Sequence, residues 1–177
     1  MVQKPPQRAV LHGMKYFYEV SVKSQIAGEL LSFARSITHW ERSYNFDAVE
    51  APQELLTKDP VMSRLLKDYT FIAGILRMSA NTCYQWHVDA ERQVGVNMLL
   101  EDAGESHCVF AENTLEQVFP ITELKYQPDT YYVLNTQKPH MVTNFTTPRY
   151  LFTIKFEGED RRMVFDELKS NLQNIWN

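Results

Sequence analysis

Four residues in this chain of 177 have types and spacing that could do chemistry: His87 and Asp89, one residue apart, then His140, then Arg149. Two imidazoles and one carboxylate can hold a non-haem Fe(II) ion on one face and leave the opposite face open. An arginine shortly after the second histidine suits a carboxylate, because guanidinium offers a planar pair of donors. If the four converge, the chain is an oxygenase with an organic acid bound beside its metal.

Each part alone has a plainer reading. A His-x-Asp pair is often a simple hydrogen bond, and Arg149 at a strand edge could meet solvent or a surface carboxylate. The combination is more specific than its parts, since the pair, the distal histidine and the arginine fall in order within a β-rich segment. A zinc reading is also open: Cys83-x-x-x-His87 with His107-Cys108. An adjacent His-Cys pair on a strand points to opposite faces, so one ion could hardly take both. Cys83 and Cys108 read instead as small core residues.

The elements that must position these side chains are mostly short strands. Residues 15–22 read as a strand by β-branched and aromatic content. A helix follows through Ile37, with Ser24 as N-cap and Ile26, Leu30, Phe33 and Ile37 at helical spacing. Residues 39–51 look irregular. His39, Trp40, Arg42 and Tyr44 there could reach a substrate, although a surface loop with a buried tryptophan is the better reading. A second helix fits 52–67, and Pro60 is a point where it could break.

From residue 70 the pattern is strands at 70–78, 83–89, 94–100, 107–111, 116–121, 130–135, 140–145 and 149–156. Turn sequences separate them, including Asp102-Ala103-Gly104, Gln127-Pro128-Asp129 and Thr146-Thr147-Pro148. Residues 160–176 are helical again, with Met163, Val164, Leu168, Leu172, Ile175 and Trp176 as apolar positions. Helices first, then an all-β block, then one helix suggests a β-barrel with helices on one outer face. Alternation then places side chains. His87 and Asp89 share a face, with Tyr84, Trp86 and Val88 opposite as packing. Tyr150, Phe152, Ile154 and Phe156 face the helices, leaving Arg149, Leu151 and Thr153 to line the interior.

Composition excludes some functions. The length fits one domain with a sizeable core. Net charge is −4, with 44% hydrophobic and 23% charged residues. No basic stripe is visible, so nucleic acid is not an expected partner. No run approaches the roughly 20 apolar residues that span a bilayer. Residues 1–9 read as a tail, and the N-terminus lacks the apolar run of a signal peptide. Two cysteines make no disulfide framework, which fits a reducing cytoplasm. Oligomeric state is not legible.

The pattern His87-Val88-Asp89, His140, Arg149 resembles the Fe(II)- and 2-oxoglutarate-dependent oxygenase superfamily. The run from Ile75 to Leu100 is similar to the metal-binding strands of aspartyl/asparaginyl β-hydroxylase-like and prolyl-hydroxylase-like members. The resemblance covers roughly residues 70–156. It implies a mainly β chain with flanking helices, a double-stranded β-helix of the jelly-roll or cupin-like kind. It implies Fe(II) on His87, Asp89 and His140, with 2-oxoglutarate chelating the metal and its far carboxylate on Arg149. O2 would be the oxidant. The products would be succinate, CO2 and a hydroxylated small molecule or peptide, favouring an amino acid or amino-acid residue.

Two departures stand out. Many members carry a serine or threonine two residues after the arginine; here that position is Leu151. The hydroxyl partner of the cosubstrate must come from elsewhere, with Tyr84, Thr153 and Tyr132 as candidates. Some members carry an arginine near the position of Asn97. An inward Asn97, beside Leu99, would be placed to hydrogen-bond a cosubstrate or substrate carboxylate; a polar residue at a sheet edge is the alternative. Two rival readings use the same barrel: a cupin-like metal protein without 2-oxoglutarate, and a non-catalytic binding domain. Arg149 argues against the first and the intact ligand set against the second.

Overall fold

The computed structural model describes residues 15–44, 46–101, 104–115 and 117–176. The expected tail at 1–9 and the turn residues Asp102 and Ala103 lie outside that set. Two antiparallel sheets face each other. The larger has seven strands in the order β1-β9-β6-β11-β4-β3-β2, and the smaller has four in the order β5-β10-β7-β8. The larger comprises β1 (Phe17–Lys23), β2 (Glu41–Ser43), β3 (Phe46–Glu50), β4 (Phe71–Met78), β6 (Val94–Glu101), β9 (Thr130–Asn135) and β11 (Arg149–Phe156). The smaller comprises β5 (Thr82–His87), β7 (Ser106–Ala111), β8 (Ile121–Leu124) and β10 (His140–Asn144).

Period-two alternation on the large sheet splits the core in two. Its outer face carries Val96, Met98, Phe152, Ile154 and Phe156, packed with Leu30 and Ala34 of α1 (Ala27–Ser36), Leu65 of α3 (Pro60–Asp68), and Leu168 and Leu172 of α4 (Phe165–Trp176). Its inner face meets the small sheet through Met78, Tyr132, Leu134, Cys108, Phe110, Leu124 and Val142. Burying each such side chain contributes about 1.5–3 kcal/mol. The rigid wall this makes holds the inward polar residues of β6, β10 and β11. At the end of the barrel away from His140, the Asn144 amide donates to the carbonyls of Met78, Ser79 and Thr147 at 3.2, 2.9 and 2.7 Å. One buried side chain thereby ties the β4–β5 and β10–β11 connections together.

Several sequence expectations are corrected. Residues 39–51 are not irregular: β2 and β3 form a hairpin that adds to the large sheet through β4. Side-chain alternation there is masked by charge, yet Asp47 takes Arg77 (2.7 Å) and Arg42 (3.3 Å) across the strands. Ser24 does not cap α1; Ile26 holds the cap position without a side-chain bond. The Ser24 hydroxyl instead accepts from the Ile26 amide at 3.2 Å and donates to Asp59 at 3.0 Å. The helix expected over 52–67 is two, α2 (Gln53–Leu56) and α3, because Asp59 caps the second and Pro60 opens it. The strand expected at 116–121 runs over Ile121–Leu124. The helix expected at 160–176 is a 3-10 turn at Gly158–Arg162 followed by α4, and Val164 is exposed between them. Cys83 is exposed rather than core; Cys108 is buried, and its thiol is pushed up to about 11 by desolvation. Both are free. No helix among the described residues is long and apolar enough to cross a membrane.

Candidate metal centre and its inner pocket

His87, Asp89 and His140 come together at one end of the barrel, with donor atoms all within 4.8 Å of one another. His87 and His140 are directly paired across β5 and β10. Their Nε2 atoms lie 3.5 and 3.7 Å from the same oxygen, Oδ1 of Asp89. The opposite ring nitrogens are held by main chain: Nδ1 of His87 by the Gln85 carbonyl at 2.6 Å, and Nδ1 of His140 by the Lys138 carbonyl at 2.9 Å. A carbonyl fixes Nδ1–H as donor, so Nε2 presents its lone pair to the shared space. Burial also lowers the basicity of His140, favouring the neutral imidazole that a metal requires. The donor set therefore fits a divalent ion held on one face.

The route to this geometry differs from simple alternation. The strand expected over 83–89 ends at His87, and Asp89 lies in the following loop. The Asp89 amide donates to the Thr136 carbonyl at 3.0 Å, and Gln137 Nε2 donates to the Asp89 carbonyl at 2.9 Å. The β9–β10 turn thus fastens the loop. A register shift between the His140↔His87 and Val142↔Tyr84 pairs inserts one extra residue in β5. The bulge turns Tyr84 onto the metal side, correcting its placement as outward packing. Its ring sits 3.8 Å from the His87 imidazole, and Phe46 of the β2–β3 hairpin packs edge-on against it at 5.1 Å. Trp86 stays outside, against Phe119 at 5.5 Å.

Arg149, Leu151 and Thr153 line the interior as alternation predicts, opposite Met78, Leu76 and Gly74 on β4. Arg149 is only 3% exposed. Its Nε donates to the Ser106 hydroxyl at 3.1 Å, and its guanidinium lies 5.6 Å from the centre of the Tyr126 ring. No carboxylate among the described residues pairs with it. A buried cation of this kind calls for an anion. Asn97 faces inward opposite Thr153, whose hydroxyl donates to its Oδ1 at 2.6 Å. Tyr132 packs between the sheets, but its hydroxyl is already engaged: it donates to Glu19 at 3.1 Å and accepts the Gln127 amide at 3.2 Å.

Two residues escaped the sequence reading. Tyr126 lies outside any strand, so no periodicity marks it. Its buried hydroxyl faces Asn97 and Arg149 without a hydrogen bond of good geometry, and desolvation raises its pKa. Arg92 lies in the loop after Asp89 and donates Nε–H to Asp89 Oδ2 at 2.5 Å. Its spacing of three from Asp89 was the available clue. The zinc reading finds no support: His107 pairs with Glu123 at 2.7 Å, and the described residues offer no other metal-ligating cluster.

No protein-family model and no curated protein matches the sequence. Solved structures do. An oxidoreductase of the 2OG-Fe(II) oxygenase family from Burkholderia pseudomallei matches with TM-score 0.58 at 15% identity, over 92% of this chain and 96% of that one. A prolyl hydroxylase from Trichoplax adhaerens, in complex with a hypoxia inducible factor peptide fragment, gives 0.58 at 14% identity, over 88% and 90%. HygX from Streptomyces hygroscopicus, with nickel, 2-oxoglutarate and hygromycin B bound, gives 0.55 at 11% identity, over 85% and 86%. The chain has the mainly β, double-stranded β-helix fold of these oxygenases.

Proposed function

We propose that this chain, built on the fold of the 2OG-Fe(II) oxygenases, is an Fe(II)- and 2-oxoglutarate-dependent dioxygenase that hydroxylates an amino acid or an amino-acid residue in a peptide. His87, Asp89 and His140 hold the metal. Bound there, Fe(II) with 2-oxoglutarate and O2 supplies an oxidising centre whose turnover releases succinate and CO2.

One observation carries the reading: a cation lacking any described carboxylate partner, Arg149, is buried in the same barrel as the three converging donors. The inward positions of β11 run from Arg149 to Thr153, and Thr153 contacts Arg92 beside Asp89. Four residues of strand span about 13 Å. An arginine side chain and a five-carbon dicarboxylate laid end to end are of that scale. Arg149 then grips the far carboxylate with paired donors. The Tyr126 hydroxyl, which needs a partner, supplies the contact that Leu151 cannot. Asn97 and Thr153 form the polar floor between Arg149 and the metal.

The open side of the metal is bordered by Tyr84 and by the β2–β3 hairpin, whose tip residue Tyr44 is 76% exposed. A substrate that presents one side chain would approach past this hairpin, and similar folds accept a peptide in one case and hygromycin B in another. Free cysteines suit a reducing compartment, the cytoplasm. The test is an anaerobic titration of the Fe(II) protein with 2-oxoglutarate, followed by succinate measurement in air. Tight binding and slow uncoupled succinate release are expected. No 2-oxoglutarate binding at millimolar concentration would remove the assignment.

A further inference from the structure

Asp89 has two oxygens, and the structure uses them differently. Oδ1 faces both imidazoles. Oδ2 is taken by Arg92 Nε at 2.5 Å. The same guanidinium donates from a second nitrogen to the Thr153 hydroxyl at 3.1 Å, and Thr153 donates onward to Asn97. Arg92 therefore joins the Asp89 carboxylate to the buried polar pair Thr153 and Asn97.

Its place is built rather than incidental. The Arg92 carbonyl accepts from Thr136 Oγ1 and Gln137 Nε2, both at 2.9 Å. The guanidinium lies against Gly95, where a Cβ would come 3.1 Å from its terminal nitrogen and 3.3 Å from its central carbon. A Cβ at position 95 would crowd the nitrogen that bonds Thr153, and the guanidinium would have to give by a few tenths of an ångström. Glycine inside a strand is otherwise a weakening choice.

We propose that Arg92 is a positioning residue that keeps Asp89 monodentate. With Oδ2 held by the guanidinium, only Oδ1 is free for the metal, and the positions that a second carboxylate oxygen would take stay open for a chelating cosubstrate. Arg92 also offsets the single negative charge of the three donors, so the ion is held less tightly than the carboxylate alone would hold it. The inference rests on the proposed metal and cosubstrate assignment.

The test measures two affinities under anaerobic conditions: Co(II) for the metal-free protein, and 2-oxoglutarate for the Co(II) protein. In Arg92→Gln, Co(II) should bind about tenfold tighter and 2-oxoglutarate about tenfold more weakly. The Co(II) absorption spectrum should shift with the change in coordination. Arg92→Lys keeps a cation beside Oδ2 and should stay within about threefold of the parent in both. Arg92→Met keeps the apolar stem without the guanidinium and should move both affinities in the Gln directions; it decides the matter if Arg92→Gln folds poorly. A residue important only for folding would weaken both affinities together, and that result, or no change beyond twofold with an unshifted spectrum, overturns the proposal. If the parent protein takes no 2-oxoglutarate, the functional assignment fails, and the Co(II) affinity and spectrum alone decide the role of Arg92.

Discussion

The ring of Tyr84 covers the imidazole of His87, with centroids 3.8 Å apart and planes inclined by 33°. Only the bulge in β5 makes this possible, since residues three apart in a regular strand point to opposite faces. Tyr84 is itself pinned by Phe46 from the β2–β3 hairpin. The orientation of a candidate metal ligand thus depends on a hairpin about forty residues away in sequence.

Removing that stack should loosen His87. An aromatic pair contributes about 0.5–1.5 kcal/mol beyond its area, so Tyr84→Ala should weaken Co(II) binding by about three- to tenfold. Tyr84→Phe keeps the ring and should bind Co(II) within about twofold of the parent. Titration of both metal-free variants checks this. Equal loss in the two would mean that the hydroxyl, not the ring, matters.

Much of this arrangement was legible in the residues. The strand over Arg149–Phe156 and its division into a helix-facing side and a pocket side follow from alternation, because one face is continuously apolar and the other is interrupted by Arg149 and Thr153. His87, Asp89 and His140 were legible from residue type and order. Their exact route was not. Alternation assumed a regular strand to residue 89, and a bulge carries no periodic mark in a single sequence. The hairpin at 41–50 was hidden because its charged residues satisfy each other across strands instead of facing a core. Tyr126 and Arg92 act from loops, where position follows from tertiary bonds such as Thr136 and Gln137 to Arg92, and no local spacing reports them.

Asp59 should matter to stability rather than chemistry. It is fully buried, and Oδ1 accepts the Val61 and Met62 amides at 2.9 and 3.1 Å, while Oδ2 accepts the Ser24 hydroxyl and the Gln25 amide at 3.0 and 2.9 Å. One carboxylate therefore caps α3 and anchors the β1–α1 connection to it. Asp59→Ala strands several buried donors and should cost about 3 kcal/mol or more. Asp59→Asn should cost less, since one acceptor oxygen remains. Urea midpoints with an unchanged slope would read the loss directly; a shift of only a few tenths of a kcal/mol in the alanine variant would contradict the anchoring role.

Tyr126→Phe separates binding from folding. The hydroxyl is buried and lacks a well-formed bond, so its removal should leave the metal-free protein as stable as before or slightly more so. If it completes the carboxylate site, 2-oxoglutarate should bind about tenfold to a hundredfold more weakly, the loss of a hydrogen bond to a charged group. Calorimetric titration and a melting curve on the same sample measure both. A drop in stability with unchanged 2-oxoglutarate affinity would assign Tyr126 to packing alone.

Arg149 makes the sharpest prediction, because its two effects have opposite sign. A guanidinium buried without a described carboxylate partner carries a desolvation cost that the Ser106 hydroxyl and the Tyr126 face only partly offset. Arg149→Met removes the charge and keeps much of the apolar stem. The metal-free variant should therefore melt at a higher temperature, by about 2–4 °C for each kcal/mol relieved. Its 2-oxoglutarate affinity should fall by at least about thirtyfold, since paired charge-assisted bonds contribute roughly 2 kcal/mol or more. Co(II) binding should stay within about twofold, because the three donors are held from β5, β10 and the loop after β5. Adding 2-oxoglutarate should raise the melting temperature of the parent Co(II) protein and not that of the variant. If Arg149→Met instead melts lower and still responds to 2-oxoglutarate, the arginine is a structural cation with an unrecognised partner. The dicarboxylate would then have to be held elsewhere in the barrel.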